Sequence, residues 1–269
     1  MDQRPIGVFD SGLGGLTAAK VLEERMPGEN LIYFGDSANA PYGTRTLEEL
    51  SALATANAAF LRRFDCKAVL VACGTVSSNA MDVLRARFDT PFFGVLDAVC
   101  ETAAQTTRTG RVAVIATEAT VRSGAFERKL RALGAPAVFS AACQSLVAVT
   151  EEGHLAPDDP VAAAAVAAEL APVKAWGPDT LILACTHFPL LERAIAAELG
   201  EGVKLLSCGA EAARALQAHL AATGGLAQRE AGERRWFTSG DPARFADCAA
   251  RFLGHTIRAE RKEDKGETV

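Results

Sequence analysis

Short apolar runs alternate with longer amphipathic or polar stretches along most of this chain. IGVFD (6–10), NLIYFGD (30–36), AVLVAC (68–73), PFFGVLD (91–97), RVAVIAT (111–117), AVFSAAC (137–143), TLILAC (180–185) and VKLLSC (203–208) are each short and rich in Val, Ile, Leu, Phe and Ala. Runs of about four to eight such residues suit strands covered on both faces. The stretches between them read as helices. The first passes through the Gly-rich turn after Asp10 and ends near Pro27-Gly28, and another opens with Thr46 and Glu49 at capping-box spacing. Further helices are expected over 78–88 and 98–107. The longest starts with Asp159 at an N-cap and Pro160 at the first helical position. The eight strands fall into two sets of four, and the third of each set ends in Ala-Cys. This pattern is that of a duplicated α/β unit with parallel sheets and right-handed crossovers. A helix at 209–222, a strand-like RRWFTSGD (234–241), a helix at 242–253 and a short GHTIRAE have no counterpart in the first half and could return to pack on it. RAERKEDKGETV (258–269) reads as a frayed charged tail.

Composition narrows the class. The 269 residues are 49% apolar and 23% charged, ordinary for a soluble globular protein and enough for one large domain or two small ones. A net charge of −5 gives no general pull toward nucleic acid or membrane. No apolar run approaches the roughly 20 residues of a membrane-spanning helix, and MDQRPIGVFD lacks a signal-peptide pattern. A cytoplasmic protein is expected. The seven cysteines are odd in number and dispersed, which argues against a disulfide framework. No spacing suits zinc, so no metal is expected.

The candidate chemistry lies at the strand ends. Open α/β sheets place function at the carboxyl ends of their strands, and there the sequence puts Asp10, Ser11, Asp36, Cys73 and Thr75 in one half and Thr117, Thr120, Cys185, Thr186 and His187 in the other. The turn after Asp10 fails the dinucleotide spacing, because a third small residue is needed where Thr17 stands. A lone cysteine is ordinarily a small buried hydrophobe. Two matched copies, each with an acid or base neighbour, point instead to one cleft flanked by two thiols. Such an arrangement fits proton removal from one face of a carbon and proton return to the other.

Most of these residues sit within IGVFDSGLGGLT, YFGDSANAPYGTRT, VLVAC, TVRSGAF and LILACTHFPLL, and FTSGDPARF follows near the end. In order and spacing these six motifs resemble the cofactor-independent aspartate/glutamate racemase family, in its glutamate racemase branch. The resemblance implies an α/β fold of two pseudo-symmetric domains, mainly parallel sheets flanked by helices, with the site in the cleft between them. The first domain would hold residues 1–97 plus 209–269, the second 98–208. It implies Cys73 and Cys185 as the two acid/base thiols, Cys73 facing the α-proton of the D-isomer and Cys185 that of the L-isomer. Asp10 and His187 would assist them, with Glu151 as a further carboxylate and Glu152 as its neighbouring alternative. Substrate would be held at Ser11, Pro41, Tyr42, Gly43, Gly74, Thr75, Thr117, Thr120 and Thr186.

The resemblance also implies no cofactor, in particular no pyridoxal phosphate, and no metal. Partners would be glutamate, a small-molecule substrate, and a second copy in a homodimer, without nucleic acid or membrane. The product would be D-glutamate for peptidoglycan. Racemisation of a related amino acid such as aspartate is the rival enzyme reading, and a non-catalytic amino-acid-binding or regulatory protein the rival of another class. The chain departs from the family's Cys-Asn-Thr, reading Cys73-Gly74-Thr75. Glycine there would leave a space about one side chain in size, so Gly74→Asn is expected to strengthen glutamate binding.

Overall fold

In the computed structural model, which describes residues 2–156 and 158–263, strands and helices alternate throughout. The first half runs β1 (Ile6–Asp10), α1 (Leu16–Arg25), β2 (Leu31–Gly35), α2 (Leu47–Arg62), β3 (Ala68–Val71), α3 (Gly74–Asn79), α4 (Met81–Arg87), β4 (Phe92–Gly94) and α5 (Val95–Thr106). Then come β5 (Arg111–Ala116), α6 (Glu118–Ser123), α7 (Ala125–Ala132), β6 (Ala137–Ala142), α8 (Ser145–Glu151), α9 (Pro160–Trp176), β7 (Thr180–Leu183), α10 (Glu192–Leu199) and β8 (Lys204–Ser207). The chain closes with α11 (Cys208–Ala222), β9 (Arg234–Thr238), α12 (Pro242–Leu253) and β10 (Ala259–Arg261).

All strand pairings are parallel. One sheet has the order β10-β9-β2-β1-β3-β4 and the other β6-β5-β7-β8. Apart from β9 and β10, both sheets therefore share the order second-first-third-fourth, the topological form of the duplication read from the sequence. Each third strand carries its cysteine just beyond its last paired residue. Ala72 N donates to Phe9 O at 3.0 Å and Ala184 N to Ile115 O at 2.9 Å, so Cys73 and Cys185 leave their sheets at matching points. The central strands β1, β2, β3 and β7 are buried along their whole length, as their unbroken apolar runs require. Thr46 makes the capping box with Glu49, and Asp159 accepts from the amides of Val161 and Ala162.

Several boundaries differ from the sequence expectation. PFFGVLD is a strand only as far as Gly94, because the extended Gly94 turns the chain and Ser77 Oγ takes the Val95 amide, opening α5 three residues early. The helix expected over 78–88 is two, broken at Ala80 (φ −129°). The tail is not frayed throughout. Ala259–Arg261 extend the first sheet beside β9, where Glu260 pairs with Arg235 and Lys262 lies 5.4 Å from the Phe34 ring centre. Residues 264–269 of that expected tail lie outside the described residues.

The two sheets share an apolar core. Leu16, Leu22, Val99, Leu216 and Phe252, from α1, α5, α11 and α12, cluster with Val112, Val114 and Ile182 of the second sheet and Ile6, Val8 and Leu70 of the first. Gly209 at the start of α11 lets that helix approach Ala18 of α1, where a Cβ would fall 2.9 Å from the Ala18 Cβ. Among the described residues no helix is long and apolar enough to cross a membrane.

Candidate active site

The carboxyl ends of β1, β2 and β3 converge with those of β5, β6 and β7 on a cavity of about 470 Å³. Cys73 and Cys185 both line it, one from each sheet, and are 5% and 7% exposed. Ser11, Pro41, Tyr42, Gly43, Gly74, Thr75, Thr117, Thr186, His187 and Glu151 line it as well. Thr120 stands one layer back, its hydroxyl 3.0 Å from that of Thr117, which is in turn 3.0 Å from that of Thr75. Asp10 is fully buried behind the cavity wall. A wider hollow of about 690 Å³ runs along Pro189–Ala194, but no thiol or imidazole lines it.

The two thiols have unlike neighbours. Cys73 lies near the Asp10 carboxylate and accepts from Ser11 and the Val76 amide; burial first, then the charge of Asp10, pushes its pKa up to about 12. It therefore holds its proton at neutral pH. Burial also raises Asp10, against the pull of a cationic His187 and of the Gly12, Gly15 and Ser11 amides. Cys185 Sγ is 3.7 Å from His187 Nδ1, and His187 Nε2 is 3.0 Å from Glu151 Oε1. Burial alone would lower the pKa of His187, but its hydrogen bonds to Cys185 and Glu151, with the charge of Asp10, outweigh that and bring it to about 10. Glu151 is held below the usual carboxylate range, mainly by the His187 hydrogen bond and also by Arg244.

Local sequence explains this placement. His187 is brought up by the turn after β7 and sits against the Gly-rich turn of the first half, where a Cβ on Gly14 would lie 2.7 Å from the ring. Glu151 ends α8 and points at the imidazole, while its neighbour Glu152 is the exposed C-cap. Of the two carboxylates left open by the sequence, Glu151 is thus the one that meets His187. Further contacts join the halves: Thr17 Oγ1 donates to Thr186 O at 3.0 Å and the Ala119 amide to Gly43 O at 2.8 Å.

Two sequence expectations change. Asp36 does not line the cavity; it is buried, accepts from Asn39 and Tyr42, and so fixes the Pro41–Gly43 loop from behind, with Asn57 donating to the same Tyr42 hydroxyl at 3.0 Å. The vacant space expected at Gly74 does not exist, because the Ala184 carbonyl occupies it. Gln144 and Ser37 line the cavity although the sequence did not single them out. Both follow strand ends, so the rule that found the cysteines reaches them too. Gln144 Oε1 is buried without a hydrogen-bond partner among the described residues.

The arrangement can move protons on either side of a small molecule held by hydroxyls, with two sulfurs of unlike surroundings facing one space. Residues 17–216 match the Asp/Glu/Hydantoin racemase family. A glutamate racemase from Corynebacterium diphtheriae is 41% identical over 97% of this chain and 98% of its own length. A glutamate racemase isoform from Bacillus anthracis has the same fold, with a TM-score of 0.94 and 35% identity over 98% of both chains. A Francisella tularensis glutamate racemase in complex with D-glutamate has a TM-score of 0.89 and 32% identity, covering 98% of this chain and 99% of that one.

Proposed function

Since this chain belongs to the Asp/Glu/Hydantoin racemase family, we propose that it interconverts L- and D-glutamate by proton transfer between two thiols. The observation that carries this reading is the pair of cysteines at matching strand ends of two like-ordered sheets, both open to one cavity. From the L-isomer, Cys185 sulfur takes the α-proton and the Cys73 thiol gives its own to the opposite face; from the D-isomer the roles exchange. The high pKa of Cys73 keeps it a donor in the first direction. In the second it must first lose its proton, and Asp10, itself shifted upward, is the near carboxylate. Cys185, His187 and Glu151 form a chain along which a proton can be stored or passed, from the buried thiol to a half-exposed carboxylate. Ser11, Thr75, Thr117 and Thr186 offer hydroxyls to the carboxylates of the amino acid. No step needs a cofactor.

Incubation with each of several L-amino acids in D2O tests the substrate. Deuterium at the α-carbon of glutamate, with the D-isomer accumulating, is expected; faster exchange into aspartate would replace glutamate as the substrate. The same reading includes a cytoplasmic homodimer that supplies D-glutamate for peptidoglycan. A monomeric mass in solution would remove the dimer from it.

His187 rises from 6.5 in the unfolded chain to about 10. The stability contributed by its charge is therefore complete below about pH 6.5 and lost as pH rises through about 10. Glu151→Gln removes a main support of that shift. Its alkaline limb of kcat/KM should lie at lower pH than that of the wild type, equally in both directions, and an unmoved limb would dissociate Glu151 from the proton chain. Gln144→Ala should raise KM about tenfold with kcat little changed, the loss of one hydrogen bond of about 1.5 kcal/mol to a charged group.

A further inference from the structure

Gly74 opens α3 immediately after Cys73, and Ala184 immediately precedes Cys185. A Cβ built on Gly74 would overlap the Ala184 carbonyl oxygen and stand 3.3 Å from its carbon. That obstacle is backbone, not the end of a flexible side chain. Ala184 is anchored through its amide to Ile115 O at the end of β7, so its carbonyl cannot swing aside without disturbing the strand. A Cβ added to Gly14, Gly43 or Gly153 would have only side-chain atoms of the opposite half among its nearest contacts. Three cross-cleft hydrogen bonds surround this point: Thr75 Oγ1 with Thr117 Oγ1, Gly43 O with the Ala119 amide, and Thr17 Oγ1 with Thr186 O.

We propose that Gly74 sets how closely the two cysteine-bearing strand ends approach, acting as the positioning residue that fixes the span between the thiols. The proposal deepens the racemase reading and rests on it for its kinetic consequence. It also reverses the expectation from sequence. An Asn at position 74 would not add an amide to the present site; its Cβ would first part the two strand ends and lengthen the hydrogen bonds around them. A misplacement of about 1 Å between reacting groups costs on the order of a hundredfold in rate.

The experiment compares the full-length wild type with Gly74→Ala, Gly74→Asn and, as a control for losing a glycine, Gly202→Ala, which meets nothing within 4 Å. Glutamate kinetics are measured in both directions, with thermal melting, and iodoacetamide alkylation of each cysteine is followed by peptide mapping. Gly74→Ala should melt near the wild type, lose about 10- to 100-fold in kcat, and alkylate several-fold faster at both Cys73 and Cys185 but not at Cys66 or Cys143. Gly74→Asn should do the same, and Gly202→Ala should match the wild type throughout. Unchanged alkylation at the two thiols overturns the proposal even if kcat falls, since the effect would then be local to α3. A Gly74→Ala chain that does not fold overturns it as well, because parting the cleft leaves each sheet intact. Alkylation needs no substrate, so a wild type inactive on glutamate would sink the functional reading while Gly74 is still judged.

Discussion

Cys73→Ser and Cys185→Ser should each lose about 10³-fold or more in racemisation, by the same factor in both directions. The equality follows from the substrates. Enantiomers have equal free energies in water, so kcat/KM for the forward and reverse reactions stays equal in any variant. The asymmetry of the two thiols must therefore be sought where only one of them acts. Elimination of chloride from a β-chloro amino acid is such a case, since it needs the α-proton removed but none returned. Cys73→Ser should depress elimination from the D-isomer and largely spare the L-isomer, and Cys185→Ser the reverse. Serine retains size and a hydroxyl but not an accessible anion, so folding should survive and can be checked by thermal melting. Identical profiles from the two variants would rule out assigning one thiol to each face.

Lys67→Met should lower stability by about 3–5 kcal/mol, the usual cost of stranding one member of a buried ion pair. Lys67 Nζ lies 2.5 Å from Glu29 Oε2, with side chains 2% and 3% exposed. It also donates to the carbonyls of Asp2 and Gly225, while Glu29 Oε1 accepts from the Ala227 amide. This knot ties the N-terminal segment, the turn between α1 and β2 and the loop before β9 to the start of β3. Removing Lys67 leaves Glu29 charged and buried, and the melting temperature should fall by about 10 °C at roughly 2–4 °C per kcal/mol. Lys67→Met/Glu29→Gln should recover much of that loss. Equal melting of Lys67→Met and wild type would mean that water reaches Glu29.

The duplication was legible because a buried parallel strand must be apolar along its length, so Cys73 and Cys185 mark their strand ends without ambiguity. The choice between Glu151 and Glu152 was not legible. Adjacent residues on a helix point about 100° apart, and only the end of α8 decides which of them meets His187. Asp36 stood at a strand end like the others yet turns inward to Tyr42, a choice made by the loop packed over it. The edge strand β10 was hidden because one alanine and two charged residues carry no apolar period; backbone pairing with β9 and the Arg235–Glu260 contact hold it. Gly74 shows the limit most sharply. Sequence reveals a missing side chain, whereas only coordinates reveal that another chain segment has filled its place.

Cys73 and Cys185 are nearly closed off from solvent, and in the two-thiol reading this gives the free enzyme a memory. Each passage from L to D leaves Cys185 with a proton gained and Cys73 with one lost. The molecule that releases D-glutamate is then a protonation isomer of the one that bound L-glutamate, ready for the return trip only. Before it can accept another L-isomer, a proton must leave the Cys185 side and another must reach Cys73, and the groups beside them, His187 and Asp10, are themselves buried. At high substrate this reset, not carbon acidity, should limit turnover. An excess of unlabelled L-glutamate should then transiently drive labelled glutamate away from its equal mixture of isomers, as a carrier with one seat would.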